Sequence, residues 1–147
     1  MTERIEVQRT IAAPAADIFA VLCDPQGHVA IDASGMLQDA DGAPAQAVGD
    51  SFVVHMDREA LNDYPMGKYD VTVTIREFDK DRLIAWTICG YRLEPTDGGT
   101  LVTSFYDWSD IDQQWRDANI FPVVPESALR ATLGILDRTV RRGYPRG

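Results

Sequence analysis

Five strand-like runs follow one another between residues 50 and 108, and they constrain the fold more than any other feature of the sequence. The runs are Asp50 to Arg58, Lys68 to Phe78, Arg82 to Ile88, Tyr91 to Glu94 and Thr100 to Trp108. Turn signals at 79–81 and 96–99 separate neighbouring runs at hairpin length, which favours antiparallel pairing. In the second run, apolar residues at 69, 71, 73 and 75 alternate with polar ones. One face of the predicted sheet is therefore buried and the other faces water.

Helical patterns flank these strands on both sides. An opening strand, Glu3 to Ile11, precedes a helix that begins at Pro14 and ends near Asp24-Pro25. A second short helical turn is predicted from Pro25 to Ile31, and a surface loop from Gln38 to Gly49. The final helix opens at Pro125, and its apolar residues recur at three- and four-residue steps. The fold class is therefore α+β.

Length and charge narrow the classes of protein. The chain has 147 residues, of which 45% are hydrophobic, as expected for one domain spanning 1–147. Its formal charge of −9 repels phosphate backbones and anionic headgroups, so nucleic acid is not expected as a partner. No apolar stretch is long enough to cross a bilayer and no signal peptide precedes the first strand. We expect a soluble, cytoplasmic protein without stable membrane insertion.

Motifs for cofactors, metals and nucleophiles are missing from the sequence. Cys23 and Cys89 lie far apart without CxxC spacing, and neither has a base nearby in sequence. The acidic groups Asp39/Asp41 and Asp107/Asp110/Asp112 do not have the register of a calcium loop and are interpreted as solvated loop ends. No GxGxxG, Walker A, HExxH or GxSxG pattern occurs. No cofactor and no metal is therefore predicted.

Three segments resemble one superfamily. IAAPAADIFAVLCDP resembles its opening strand and helix, GGTLVTSFYDWS its last strand, and FPVVPESALRATLGILDRTV its closing helix. The chain is similar to START-like (SRPBCC) proteins, which include polyketide cyclases and lipid-transfer domains, and within them to small single-domain members of actinobacterial type. The resemblance implies the helix-grip fold. In that fold a curved antiparallel sheet, here of about seven strands, wraps around a long C-terminal helix, with two short helices after the first strand.

The resemblance also implies an internal cavity, since a bent sheet and a straight helix do not touch along their whole length. Its guest would be a small hydrophobic molecule: a lipid, a polyketide or an aromatic metabolite. The alternative is that the same side chains meet in a dry core. The residues predicted to line the cavity are Phe52, Val54, Met56, Tyr69, Val71, Val73, Ile84, Trp86, Ile88, Tyr106, Trp108, Phe121, Leu129, Leu133 and Leu136.

Two further functions stay open. A cyclase or dehydratase would use Tyr69, Tyr106 and His55 for proton transfer, although the parity of His55 places it on the outer face unless its strand has a bulge. His28 is placed either at a pocket mouth or in an exposed loop. An interaction or homodimer module would instead use Leu101 and Phe105 on the outer sheet face. The segments 59–67 and 109–124, with Tyr64, Pro65, Met66, Trp115 and Phe121, are interpreted either as a gate over the cavity or as permanently packed loops.

Overall fold

The computed structural model describes residues 4–33, 37–57, 68–86, 89–109 and 126–143. The strands in this part of the chain are β1 Arg4–Ile11, β2 Leu37–Asp41, β3 Ser51–Asp57, β4 Lys68–Thr74, β5 Glu77–Asp79, β6 Leu83–Ala85, β7 Cys89–Thr96 and β8 Gly99–Asp107. The helices are α1 Ala15–Cys23, α2 Pro25–Ile31 and α3 Glu126–Arg141. The predicted α+β class, the two short helices after the first strand and the long C-terminal helix are confirmed.

The strands of the described residues are all antiparallel, as predicted, but there are eight of them in two sheets, so the predicted count of about seven is not exact. A five-stranded sheet has the order β1-β8-β7-β6-β5, and a three-stranded sheet has the order β2-β3-β4. The predicted run Lys68 to Phe78 is broken where the chain passes between them. The Ile75 N–H donates to the Asp50 carbonyl beside β3, whereas the Arg76 N–H donates to the Ala85 carbonyl in β6. Ile75 and Arg76, which link β4 to β5, thus hydrogen-bond in opposite directions, one beside each sheet.

Strand β2 occupies part of the segment that the sequence predicts as a surface loop. It pairs with β3, and Ala40 is buried between the exposed Asp39 and Asp41. One buried alanine gives no periodic signal, which explains the wrong prediction. The Gln26 amide of α2 donates to the Asp39 carboxylate at 3.0 Å and to the Ala40 carbonyl at 2.6 Å. These bonds attach β2 to α2, so Asp39 is not a free loop acid.

The two short helices meet at a tight corner. Asp24 separates them, and its carboxylate accepts a hydrogen bond from the Gln26 N–H at 3.0 Å, which caps the start of α2. Pro25 occupies the first helical position, as expected. A Cβ added at Gly27 would lie 2.0 Å from the Val21 carbonyl oxygen. Helix α2 therefore packs directly on the backbone of α1.

Helix α3 packs on the five-stranded sheet through β1 and β8. Leu133 and Leu136 are buried there, but so is Asp137, which helical periodicity places among the solvent-facing residues. Its carboxylate accepts hydrogen bonds from Arg9 Nε at 2.7 Å and from Arg141 Nε at 2.6 Å. Burial alone would raise the pKa of this carboxyl, but the two guanidinium groups hold it below its usual range.

No helix of the described part of the chain is both long and apolar enough to cross a bilayer.

Candidate functional site

A cavity of about 160 Å³ lies between α2, α3 and side chains of both sheets. Cavities of this size accept one small ring, since an engineered apolar cavity of about 150 Å³ binds benzene. Pockets for drug-sized ligands are larger, roughly 300–1,000 Å³. The residues that line the cavity are His28, Ile31, Asp32, Leu37, Val54, Met56, Val73, Trp86, Cys89, Gly90, Tyr91, Ser104, Phe105, Leu129 and Thr132.

The predicted cavity residues fall into three groups, and the first lines this space. Its members are Val54, Met56, Val73, Trp86 and Leu129. Phe52 lies just behind them, 3% exposed, with its ring edge-on to His28 at 5.0 Å between centroids. Their positions agree with the faces that strand parity and helical spacing assign to them, and their contact with a ligand stays a prediction.

The second group belongs to the close-packed core and not to the cavity wall. Ile84, Tyr106, Leu133 and Leu136 are each at most 2% exposed and pack within one apolar cluster. None of these four residues is among the described residues that line this cavity, so their lining role stays a prediction. Parity assigns a residue to one face of a strand, but it does not show whether another element packs directly against that face. Where α3 lies on the five-stranded sheet, Leu133 and Leu136 are buried, whereas Leu129 borders the described cavity.

The third group lies at the margins. Val71 and Trp108 are partly buried against the core, and Tyr69 borders an open groove at the end of β3 and β4. The remaining predictions lie outside the described residues: Ile88, Phe121, and the gate segments 59–67 and 109–124 except Ser109. The Ser109 N–H donates to the Asp107 carboxylate at 2.9 Å.

His28 gives the cavity wall a ring nitrogen, so the exposed-loop interpretation is wrong. The residue is 9% exposed, and its ring centroid lies 4.9 Å from that of Trp86. Its Nε2 is 2.7 Å from the Leu22 carbonyl oxygen at the end of α1. Because a carbonyl oxygen only accepts hydrogen bonds, Nε2 carries the proton. Burial lowers the pKa of His28, so the ring is neutral at pH 7 and Nδ1 keeps its lone pair.

Tyr91 and Ser104 add two hydroxyl groups to the same wall, and the sequence analysis missed both. They lie opposite each other on β7 and β8, and their side chains are hydrogen-bonded. Burial raises the pKa of the Tyr91 hydroxyl, which therefore stays protonated. Ser104 shares the buried parity of Val102 and Tyr106. Because Ser104 is a small polar residue within an otherwise apolar series, it could have indicated a polar group in the cavity wall.

Of the two cysteines, Cys23 is buried and Cys89 is half-buried. Cys89 lines the cavity, and Cys23 is 7% exposed at the end of α1. Burial raises the pKa of both thiols to about 12. Both are protonated at neutral pH, which makes them poor nucleophiles.

His55 lies on the outer face of the three-stranded sheet, as its parity predicts. Its Nδ1 is 2.7 Å from Asp70 Oδ1, and its Nε2 is 2.7 Å from Asp41 Oδ2. Both carboxylates accept, so both ring nitrogens donate and the imidazole is a cation. These hydrogen bonds raise the pKa of His55 to about 9. The register shift that would have turned His55 inward lies in β2 instead, between Leu37 and Asp39.

The three side chains considered for proton transfer are therefore not brought together. His55 is held on the outer face, Tyr69 borders the groove beside it, and Tyr106 is 2% exposed within the core. Nothing in the described part of the chain groups three or more His, Cys, Asp or Glu side chains so that they could hold a metal ion.

We expect the charged His55 to make stability depend on pH. Its folded pKa of about 9 exceeds the value near 6.5 of an unfolded histidine. Its stabilising contribution is therefore complete below about pH 6.5, decreases between roughly 6.5 and 9, and is lost above 9. Urea unfolding of the wild type and His55→Gln from pH 5.5 to 10 measures this. A difference in unfolding free energy that stays constant over that range would contradict it.

Phe105 is not available as an interaction surface, contrary to the module hypothesis. The residue is only 8% exposed, and the guanidinium groups of Arg4 and Arg92 lie 4.8 Å and 5.6 Å from its ring centroid. Arg4 is held in place by Asp107 at 3.1 Å. Hydrogen bonds from Ser109, and then from Arg4, lower the pKa of Asp107. The ion pair between Arg4 and Asp107 therefore helps to cover the Phe105 ring at the end of β8.

Comparison with solved structures identifies the fold. The chain is 15% identical to NE0264 from Nitrosomonas europaea, with a TM-score of 0.67 over 95% of this chain and 94% of that one. It is 16% identical to an AHSA1-like protein from Aeromonas hydrophila, with a TM-score of 0.62 over 95% and 92%. For the Aha1 dimer from Colwellia psychrerythraea the values are 14%, 0.59, 96% and 98%.

No protein-family model matches the sequence, and no curated protein is similar to it. At these identities the likeness concerns the fold, and the expected actinobacterial type is not confirmed. The chain therefore has the fold of the AHSA1-like and Aha1 structures, consistent with the helix-grip architecture that its sequence resembles.

Proposed function

We propose that this protein binds a small, uncharged hydrophobic molecule, about the size of one aromatic ring, in the cavity beneath α3. The observation that carries the proposal is the apolar space of about 160 Å³ between the N-terminal half of α3 and both sheets. Its walls combine aliphatic side chains, such as Val54, Val73 and Leu129, with the ring of Trp86. This composition is typical of small-molecule sites, where apolar walls are combined with a few polar groups.

The volume selects among the guests that the superfamily resemblance implies. A long acyl chain or a folded polyketide needs a space in the range of ordinary ligand pockets, roughly 300–1,000 Å³. A monocyclic aromatic molecule fits about 160 Å³. Burial contributes about 0.8 kcal/mol per carbon group, so a seven-carbon guest gains roughly 5 kcal/mol. This corresponds to a dissociation constant of about 0.1–1 mM.

Toluene is the probe for this proposal. We expect saturable binding with a Kd of about 0.1–1 mM, followed by the methyl NMR signals of Val54, Val73 and Leu129. Leu129→Phe places a larger side chain in the wall and should weaken toluene binding at least tenfold. Leu101→Phe is the matched control, because Leu101 is half-buried and is not among the described residues that line the cavity.

The outcomes that would reject the proposal are specific. One is the absence of saturable toluene binding to the folded wild type. The other is an equal toluene affinity in Leu129→Phe and Leu101→Phe, since a guest in the cavity must respond to the first substitution and not to the second.

A further inference from the structure

We propose that the cavity selects a neutral hydrogen-bond donor of the phenol class, and that Nδ1 of His28 is the atom that accepts the hydrogen bond from its hydroxyl group. This inference rests on the proposed function and specifies the chemistry of the same site. His28 is a positioning residue for the guest, and no covalent step is involved.

The proton of His28 is fixed by a bond inside the protein. The Leu22 carbonyl oxygen lies 2.7 Å from Nε2 and has no hydrogen to give, so Nε2 must be the donor. In a neutral imidazole this leaves Nδ1 as a hydrogen-bond acceptor. The Phe52 and Trp86 rings lie against the imidazole at centroid distances of 5.0 Å and 4.9 Å. They restrict its rotation, so the acceptor keeps one direction.

Nδ1 is accessible to a small molecule. Every fully buried side-chain nitrogen or oxygen of the described residues has a hydrogen-bond partner. The hydrogen bond of the His28 ring is made at Nε2, and the ring lines the cavity. Nδ1 is therefore not sealed in the core. Because His28 lines the cavity, the proposal places this lone pair at the cavity surface, within reach of a guest.

The other polar groups of the wall favour a neutral donor over an anion. Among the described residues that line the cavity, Asp32 carries a carboxylate and none is an arginine or lysine. Burial keeps His28 uncharged and the thiol of Cys89 protonated. The hydroxyl of Tyr91 is also protonated and is paired with Ser104. A carboxylate or phenolate guest would find no cationic partner in this wall, whereas an O–H group finds an acceptor.

Phenol and toluene separate this inference from simple apolar binding, because they have nearly the same shape. A purely apolar cavity must reject phenol, since its hydroxyl loses water without compensation. With the acceptor at His28 we expect phenol to bind at least as tightly as toluene. In His28→Leu the ratio of phenol to toluene affinity should fall about tenfold, the size expected for one lost hydrogen bond. In His55→Gln, the matched change at the histidine on the outer face, the ratio should stay at its wild-type value.

The results distinguish the two proposals. If toluene binds but the phenol-to-toluene ratio is the same in His28→Leu and in the wild type, the assignment to His28 is wrong and the proposed function stands. If neither compound binds the wild type, both proposals are wrong.

A second measurement covers the case in which His28→Leu does not fold. The chain has two histidines, so His28 is the only imidazole left in His55→Gln. Its ¹⁵N spectrum should contain a neutral ring protonated at Nε2. Saturating phenol should shift the Nδ1 signal as that atom accepts a hydrogen bond, and toluene should shift it much less. An Nδ1 signal that does not respond to bound phenol would overturn the inference.

Discussion

Gly27→Ala should destabilise the protein by about 3 kcal/mol or more, at or above the upper end of the usual range for overpacking. Helix propensity alone predicts the opposite sign, because alanine is about 1 kcal/mol better than glycine within a helix. The added Cβ would lie 2.0 Å from the Val21 carbonyl oxygen and 2.9 Å from the Val21 carbonyl carbon. These are backbone atoms, so the clash is relieved only if α2 moves away from α1. Such a movement also displaces His28, the next residue of α2.

Gly134→Ala is the matched control for this prediction. Gly134 lies within α3, and a Cβ added there meets nothing within 4 Å in the described structure. The same substitution should therefore stabilise the protein by about 0.5–1 kcal/mol. Urea unfolding of both variants measures the two effects. A loss below about 1 kcal/mol in Gly27→Ala would mean that α2 does not pack on α1 as described.

Leu133→Ala should destabilise the protein by about 3–5 kcal/mol, and Leu129→Ala by clearly less. The sequence predicts the same lining role for both residues, but the structure separates them. Leu133 is 1% exposed within the core, so its removal leaves a new void. Leu129 is 7% exposed and already borders the cavity, so its truncation enlarges an existing space. Leu129→Ala should also enlarge the cavity and admit a two-ring guest such as naphthalene.

Unfolding free energies from urea titration, together with naphthalene binding, test this pair. Equal losses of stability in the two variants, without a gain of naphthalene binding in Leu129→Ala, would mean that the cavity does not extend to α3. The comparison requires similar m-values in both variants, since a changed m-value indicates a changed unfolded state.

The fold was largely predictable where the signal is local. The alternation at Tyr69, Val71 and Val73 predicts a half-buried strand. In the structure these residues lie on the more buried side of β4. Asp137 was not predictable in the same way. It is buried because Arg9, from the other end of the chain, neutralises it. A pairing partner 128 residues away leaves no trace in helical periodicity.

The candidate site was predictable only in part, for a related reason. Parity placed Val54, Met56 and Val73 on the inner faces, but the boundary between cavity and core depends on where two surfaces touch. His28 was undecided because α2 is too short for periodicity to assign it a face. Its role depends on the Leu22 carbonyl and the Trp86 ring, which the fold brings to it. Sequence patterns identify faces, and contact between faces decides which residues line a cavity.

The most direct test of the cavity's role is to locate bound toluene by intermolecular nuclear Overhauser effects. We expect Overhauser contacts from toluene to Val73, Trp86 and Leu129, and none to the core residues Val102 and Leu136. Contacts confined to the groove beside His55 and Tyr69, with none to Val73, Trp86 or Leu129, would contradict it.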